Sequence, residues 1–268
     1  MKKKMSIIIA GILFLAGLSL LLYPLVANQW NTYRQSRLIS EYETTVSTEN
    51  SEGAIDYEKE WEKANAYNAA LLPSILPDSF AIAAASDEPG DEYMSCLNIL
   101  NDGMMGYVEV PKINIKIPIF HTTSEEVLNK GAGHLEGSSL PVGGENTHAV
   151  ISAHRGLPSA SLFTDLDQLE KGDHFLISVL DQKLCYEVDQ IRTVEPEDTG
   201  DLEVEPGEDL VTLLTCTPYG VNTQRLLVRG HRVPYEEEVV EKEEKESPMS
   251  LYTNYLLWVV IGLAVTAV

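Results

Sequence analysis

The chain has 268 residues, with 41 acidic side chains against 19 basic ones and a formal net charge of −22. That length holds one catalytic domain with a sizeable core plus segments outside it, and the acidic balance argues against nucleic acid as a partner. Cys96, Cys185 and Cys216 leave at least one thiol unpaired in an exported protein; no C-x-x-C or H-x-x-x-H spacing occurs, so no metal or other cofactor is expected.

Lys2, Lys3 and Lys4 precede an uncharged stretch from Met5 to Ala27. It is long enough to cross a bilayer with the lysines inside, and Leu25-Val26-Ala27 is a poor cleavage site, so residues 1–27 read as a retained membrane anchor. Residues 28–75 turn polar and are expected to form an extracellular stalk with two short helices. Residues 76–92 read as a loop: Leu76-Pro77-Asp78-Ser79-Phe80, then the alanine-rich 81–85 and an acidic turn, 86–91. Strand-like runs fill 93–235. The glutamate-rich 236–250 reads as a solvated spacer, and 251–268 as a second, C-terminal transmembrane segment that leaves the domain on the outer face.

Thr212-Leu213-Leu214-Thr215-Cys216 carries the most chemical information. An apolar, β-branched run of this kind delivers its last side chain to the rim of a sheet. Thr223-Gln224-Arg225-Leu226-Leu227-Val228-Arg229 alternates like the returning strand of a hairpin, which would bring Arg225 back beside Cys216. A free thiol is mostly protonated at neutral pH, so a nucleophilic cysteine needs a base or a cation. Among His121, His134, His148, His154, His174 and His231, the pattern favours His154. It ends the strand-like Ala149-Val150-Ile151-Ser152-Ala153 and precedes an Arg155-Gly156 turn. Arg225 would donate to a developing oxyanion or hold the substrate carbonyl, whereas Arg229 is expected to matter less.

These residues resemble the sortases, the surface transpeptidases of Gram-positive bacteria, whose signature is a T-L-x-T-C strand. The runs Gly106-Tyr107-Val108-Glu109-Val110-Pro111, Gly133-His134-Leu135-Glu136-Gly137, Ser152-Ala153-His154-Arg155-Gly156 and Cys216-Thr217-Pro218-Tyr219-Gly220 resemble the class C, pilus-assembling branch over roughly residues 60–235. The resemblance implies a mainly β fold, a closed eight-stranded barrel with N-terminal helices and a lid loop, and a site of Cys216, His154 and Arg225. Thr215 and Ser152 are expected beside them as peptide contacts. It implies a lid whose Asp-Pro-aromatic motif is matched by Asp78 and Phe80, with Ser79 where proline is typical and hence a looser hinge. It also implies an L-P-x-T-G-like sorting signal as donor and a pilin lysine as acceptor. A hydrolytic cysteine protease or a cell-wall-anchoring sortase would use the same three groups.

Overall fold

The computed structural model describes residues 2–52, 55–71, 76–82, 89–245, 247 and 250–266. Helix α1 (Lys2–Glu52) is followed by α2 (Tyr57–Ala70), a single helical turn α3 (Ser79–Ile82) and α4 (Asp91–Ser95). Eight strands follow: β1 (Met104–Val110), β2 (Ile115–His121), β3 (Ala132–His134), β4 (Thr147–Ser152), β5 (His174–Val179), β6 (Gln182–Val194), β7 (Asp209–Thr217) and β8 (Gln224–Val233). A short helix α5 (Glu125–Leu128) joins β2 to β3, and α6 (Glu237–Lys245) and α7 (Leu251–Thr266) end the chain.

The strands close into a barrel in the order β1-β2-β3-β4-β7-β8-β6-β5. Antiparallel ladders dominate, but β2–β3 and β4–β7 run parallel, and the crossover into β7 is what brings the end of β4 against the cysteine strand. Strand alternation decides which side chains fill the barrel. Ile151, Val211, Leu213, Leu226 and Val228 point inward to a core shared with Val108, Ile119, Phe175 and Ile177. Their neighbours Val150, Leu214 and Leu227 point outward into a second cluster, closed from above by Leu76 with Phe80 packed against it. The loop at 76–80 is therefore a seated cover on the outer face of β4, β7 and β8. The part of the expected loop at 83–88, including the start of the acidic turn, lies outside the described residues.

Two expectations about the flanks need correction. The anchor does not give way to a stalk at residue 27, because α1 continues unbroken to Glu52 through Pro24. No glycine or proline interrupts 28–52, and Gln35, Ile39 and Tyr42, at helical spacing, are buried against the barrel. There Ile39 and Tyr42 pack with Met104, Tyr107 and Phe120. Only α2 forms as a separate short helix. The spacer is also not simply solvated: its α6 docks on the barrel through Glu243, whose carboxylate accepts from the backbone N–H of His174 (3.0 Å) and pairs with its Nδ1 (2.6 Å). By length and composition α1 is the one helix among the described residues able to cross a membrane. The uncharged α7 has 16 described residues.

Candidate active site

Cys216 lies at the end of β7 and Arg225 at the start of β8, and the antiparallel register sets them directly opposite each other. The same ladder pairs Leu214 with Leu227 and Thr212 with Arg229, so alternation places Cys216 and Arg225 together on the outer face. On the other side of β7, Ser152 of β4 is level with Leu214. The chain continues from there as Ala153, whose N–H donates to Leu214 (3.1 Å), and then His154. His154 thus follows the end of β4 beside the β7 end that carries Cys216 opposite Arg225.

The cover reaches Arg225 and His154. Asp78 receives a bidentate pair from Arg225, Nε to Oδ1 at 2.6 Å and Nη2 to Oδ2 at 2.7 Å, with both side chains about 10% exposed. Phe80 sits between His154 and Arg225. Its ring centroid is 5.5 Å from the His154 ring and 5.2 Å from the Arg225 guanidinium carbon. Among the described residues no hydrogen bond reaches the His154 ring. Burial raises the Cys216 pKa above the ordinary thiol value; Arg225 opposes this and Asp78 adds to it. Burial likewise lowers the His154 pKa, opposed by Glu125. Under the closed cover both shifts favour the uncharged forms, thiol and imidazole.

Ser79 contributes more than sequence reasoning allowed. It is fully buried, its hydroxyl receives a hydrogen bond from Ser152 Oγ (2.8 Å), and its carbonyl accepts from Thr123 Oγ1 (2.9 Å). The first of these bonds is unavailable to proline, and it offsets the rigidity that proline would supply. Ser152 is consequently a seat for the cover, its hydroxyl buried and engaged. Thr215 needs a firmer correction as a peptide contact. Strand parity puts it on the inner face, opposite to Cys216, where it is completely buried and donates to the Ala153 carbonyl (2.7 Å). The period-2 pattern already contained that signal.

The other histidines have structural places. His148 is buried between Thr212 Oγ1 and the Glu203 carbonyl, both at 2.8 Å. His134 ends the short strand β3 and contacts Tyr93 and the Ser139 carbonyl. His121 lies against the Gly103 and Cys96 carbonyls. Cys96 and Cys185 are free and buried, and among the described residues no cluster of three or more His, Cys, Asp or Glu could hold a metal ion.

Sequence reasoning missed Arg155, the neighbour of His154. Its side chain, 9% exposed, donates to the Thr164 carbonyl (3.1 Å) and to Thr217 Oγ1 (3.1 Å), and pairs with Asp167. The next residue, Gly156, has φ +78°, and a Cβ there would lie 3.2 Å from the Tyr219 ring. The turns after His154 and after Cys216 are thus joined by a hydrogen bond and a close ring contact. A cation beside a strand-terminal histidine was the only hint of this.

Residues 108–233 match the sortase domain family. Sortase D of Bacillus subtilis is 32% identical over 131 residues, which are 48% of this chain and 63% of that protein, just under two thirds of its length. Among solved structures, sortase C of Streptococcus pneumoniae is 50% identical and superposes with a TM-score of 0.66, over 74% of this chain and 97% of that one. Sortase C1 of Streptococcus agalactiae is 49% identical with a TM-score of 0.66, covering 75% and 100%. A closed barrel with a cysteine and an arginine paired across β7 and β8, at this level of identity, means that the chain belongs to the sortase family. Within it, the similarity to sortases C at up to 50% identity puts it in the class C, pilin-sortase branch.

Proposed function

We propose that this chain is a cysteine transpeptidase that cleaves an L-P-x-T-G-like sorting signal and transfers the acyl group to a pilin lysine, polymerising pilus subunits on the outer face of the cell membrane. The observation that carries the reading is the Cys216–Arg225 cross-strand pair, with His154 at the adjoining strand end and Asp78 and Phe80 set against Arg225 and His154. The S. pneumoniae relative, described for its catalysis and pilin substrate specificity, supports the choice of substrate class.

The chemistry runs in two acyl transfers. The Cys216 sulfur, deprotonated with His154 accepting the proton, attacks the peptide carbonyl, and the oxyanion that forms is met by the Arg225 guanidinium. The tetrahedral intermediate collapses with cleavage of the C–N bond, and His154 returns the proton to the departing amine. A thioester remains. An incoming lysine amine loses a proton to His154, forms the new C–N bond and releases the Cys216 thiol. No cofactor takes part.

The closed cover must leave before this sequence starts, because Asp78 holds the two Arg225 nitrogens suited to an oxyanion and Phe80 stands against His154. Asp78 and Phe80 act as a lid that keeps stray nucleophiles from Cys216. Incubation of the external domain with a sorting-signal peptide, with and without a pilin domain bearing an acceptor lysine, tests the reading by the products formed. A peptide–lysine conjugate is expected when the pilin is present; hydrolysed peptide alone would indicate a protease.

A further inference from the structure

Helix α1 has its last uncharged apolar run at Met5–Ala27, and the first polar residues after it are bonded to the barrel. The Asn28 side-chain oxygen accepts from the Ser161 N–H (2.7 Å), and Asn31 Nδ2 donates to the Ser159 carbonyl (2.7 Å). One turn on, Gln35 Nε2 donates to the Lys130 carbonyl (3.2 Å). At 1.5 Å rise per residue, Asn28 and Asn31 stand within about 6 Å of the end of the apolar run. The barrel is thus held by a continuous helix at the point where that helix leaves its apolar segment. α7 lies beside the apolar segment, since Tyr255, one turn after its start, donates to the Leu21 carbonyl (2.7 Å).

The segment held there belongs to the site. Ser159 and Ser161 lie in the turn that begins at His154, and the Phe163 N–H closes that turn on the His154 carbonyl (3.1 Å). Exposed apolar groups rim the same region. Trp30 and Tyr33 of α1 are 62% and 56% exposed, with ring centroids 6.1 Å apart. Pro158 is exposed. Tyr219, which packs on Gly156, is 47% exposed, and Val221 beside it is 64% exposed. Tryptophan and tyrosine just beyond an apolar span are the side chains that settle at the head-group level of a bilayer, and the cationic Arg34 and Arg37 follow on exposed helix positions.

We propose that this rim (Trp30, Tyr33, Pro158, Tyr219 and Val221) rests on the lipid head groups, so that Cys216 works at the membrane surface. The inference rests on α1 being a membrane anchor. It adds that the height and face of the site above the lipid are fixed by Asn28 and Asn31, where a flexible stalk would leave both free.

The test uses the full chain in phosphatidylcholine–phosphatidylglycerol vesicles containing lipid brominated near the head group, with Val221→Trp compared against Val204→Trp. Val204 is also exposed, at 47%, but precedes β7, at the end of the strand opposite Cys216. Relative to the parent chain, the emission added by Val221→Trp should be quenched at least about twice as strongly as that added by Val204→Trp, as burial of a side chain ~5–10 Å into the interface requires. The Trp30→Ala, Tyr33→Ala double variant should lower turnover of a vesicle-anchored sorting-signal peptide several-fold while turning over the soluble peptide as the parent does. Equal quenching at 221 and 204 in a chain that floats with the vesicles would overturn the proposal and leave the anchor reading standing, with the rim then open to an aqueous protein partner. A chain that does not float would overturn both.

Discussion

Arg225 and Asp78 form a bidentate ion pair across 147 residues of sequence, and that pair takes the guanidinium away from the chemistry its place opposite Cys216 equips it for. The Nη1 of Arg225 is turned to the carbonyls of Gln224 (3.1 Å) and Asn222 (3.4 Å). With the lid shut, the thiol is buried, faces a carboxylate, and meets a cation already neutralised. Each of these disfavours the thiolate.

Asp78→Ala should therefore change the reactivity of Cys216 in a defined direction. Burial and the Asp78 charge raise the thiol pKa, and Arg225 lowers it; removing Asp78 and loosening the lid weakens both raising effects and frees Arg225. The midpoint of the pH profile for alkylation by iodoacetamide should lie above the ordinary thiol value in the parent and fall in Asp78→Ala. The rate at neutral pH should rise several-fold, and further with Phe80→Ala added. Identical profiles for parent and variant would remove the lid from the account.

Arg225→Lys keeps the charge but discards the planar fork, and should cost at least about a hundredfold in turnover, on the order of 2.7 kcal/mol for a missing oxyanion donor. Arg229 also faces outward on β8 but is held by Asp189 at 3.0 and 2.8 Å, so Arg229→Lys should lower thermal stability and leave turnover close to the parent's. Comparable losses of turnover in the two variants would show that Arg225 has no special role.

The Arg155–Thr217 hydrogen bond links the residue after His154 to the residue after Cys216. Thr217→Val removes the acceptor without changing shape. At ~1 kcal/mol for one hydrogen bond, turnover should fall about fivefold with the peptide KM little changed. Thr217→Ser restores the oxygen and should restore the rate. A Val variant as fast as the parent would mean that this bond does not set the spacing of the reacting pair.

Docking of α6 should depend on pH. The Glu243 hydrogen bond raises the His174 pKa, burial opposes it, and the charges of Glu243, Glu187 and Asp173 add to the rise. A raised folded-state value stabilises fully below the unfolded pKa, about 6.5, and the contribution is lost as pH rises through the folded value. Glu243→Gln should therefore lower the Tm by several degrees near pH 6 and by much less near pH 9. A deficit that grows with pH would reverse the sign and exclude the His174–Glu243 pair as its cause.

What could be read from the sequence followed the reach of local rules. Alternation in 212–216 and 223–229 gave the hairpin and hence the Cys216–Arg225 pairing, because an antiparallel register is set by a short turn. His154 was legible as a strand terminus. Thr215, expected as a peptide contact, lies on the inner face, where the same alternation puts it. The seat of Ser79 on Ser152 and the Arg155–Thr217 bond join segments 73 and 62 residues apart, and no periodicity encodes such contacts. The continuous α1 was hidden by its change from apolar to polar at residue 28; burial against the barrel on one face, and not average composition, keeps it helical.

The most direct test of the central claim is mass spectrometry of the acyl-enzyme. Parent protein, or Asp78→Ala to open the lid, is mixed with a sorting-signal peptide, quenched in acid, digested and searched for the peptide's acyl fragment. The account predicts a hydroxylamine-labile adduct on the segment containing Cys216, absent from Cys216→Ala and unaffected by Cys96→Ala or Cys185→Ala. Appreciable peptide cleavage by a folded Cys216→Ala protein, or an adduct on another residue, would contradict it.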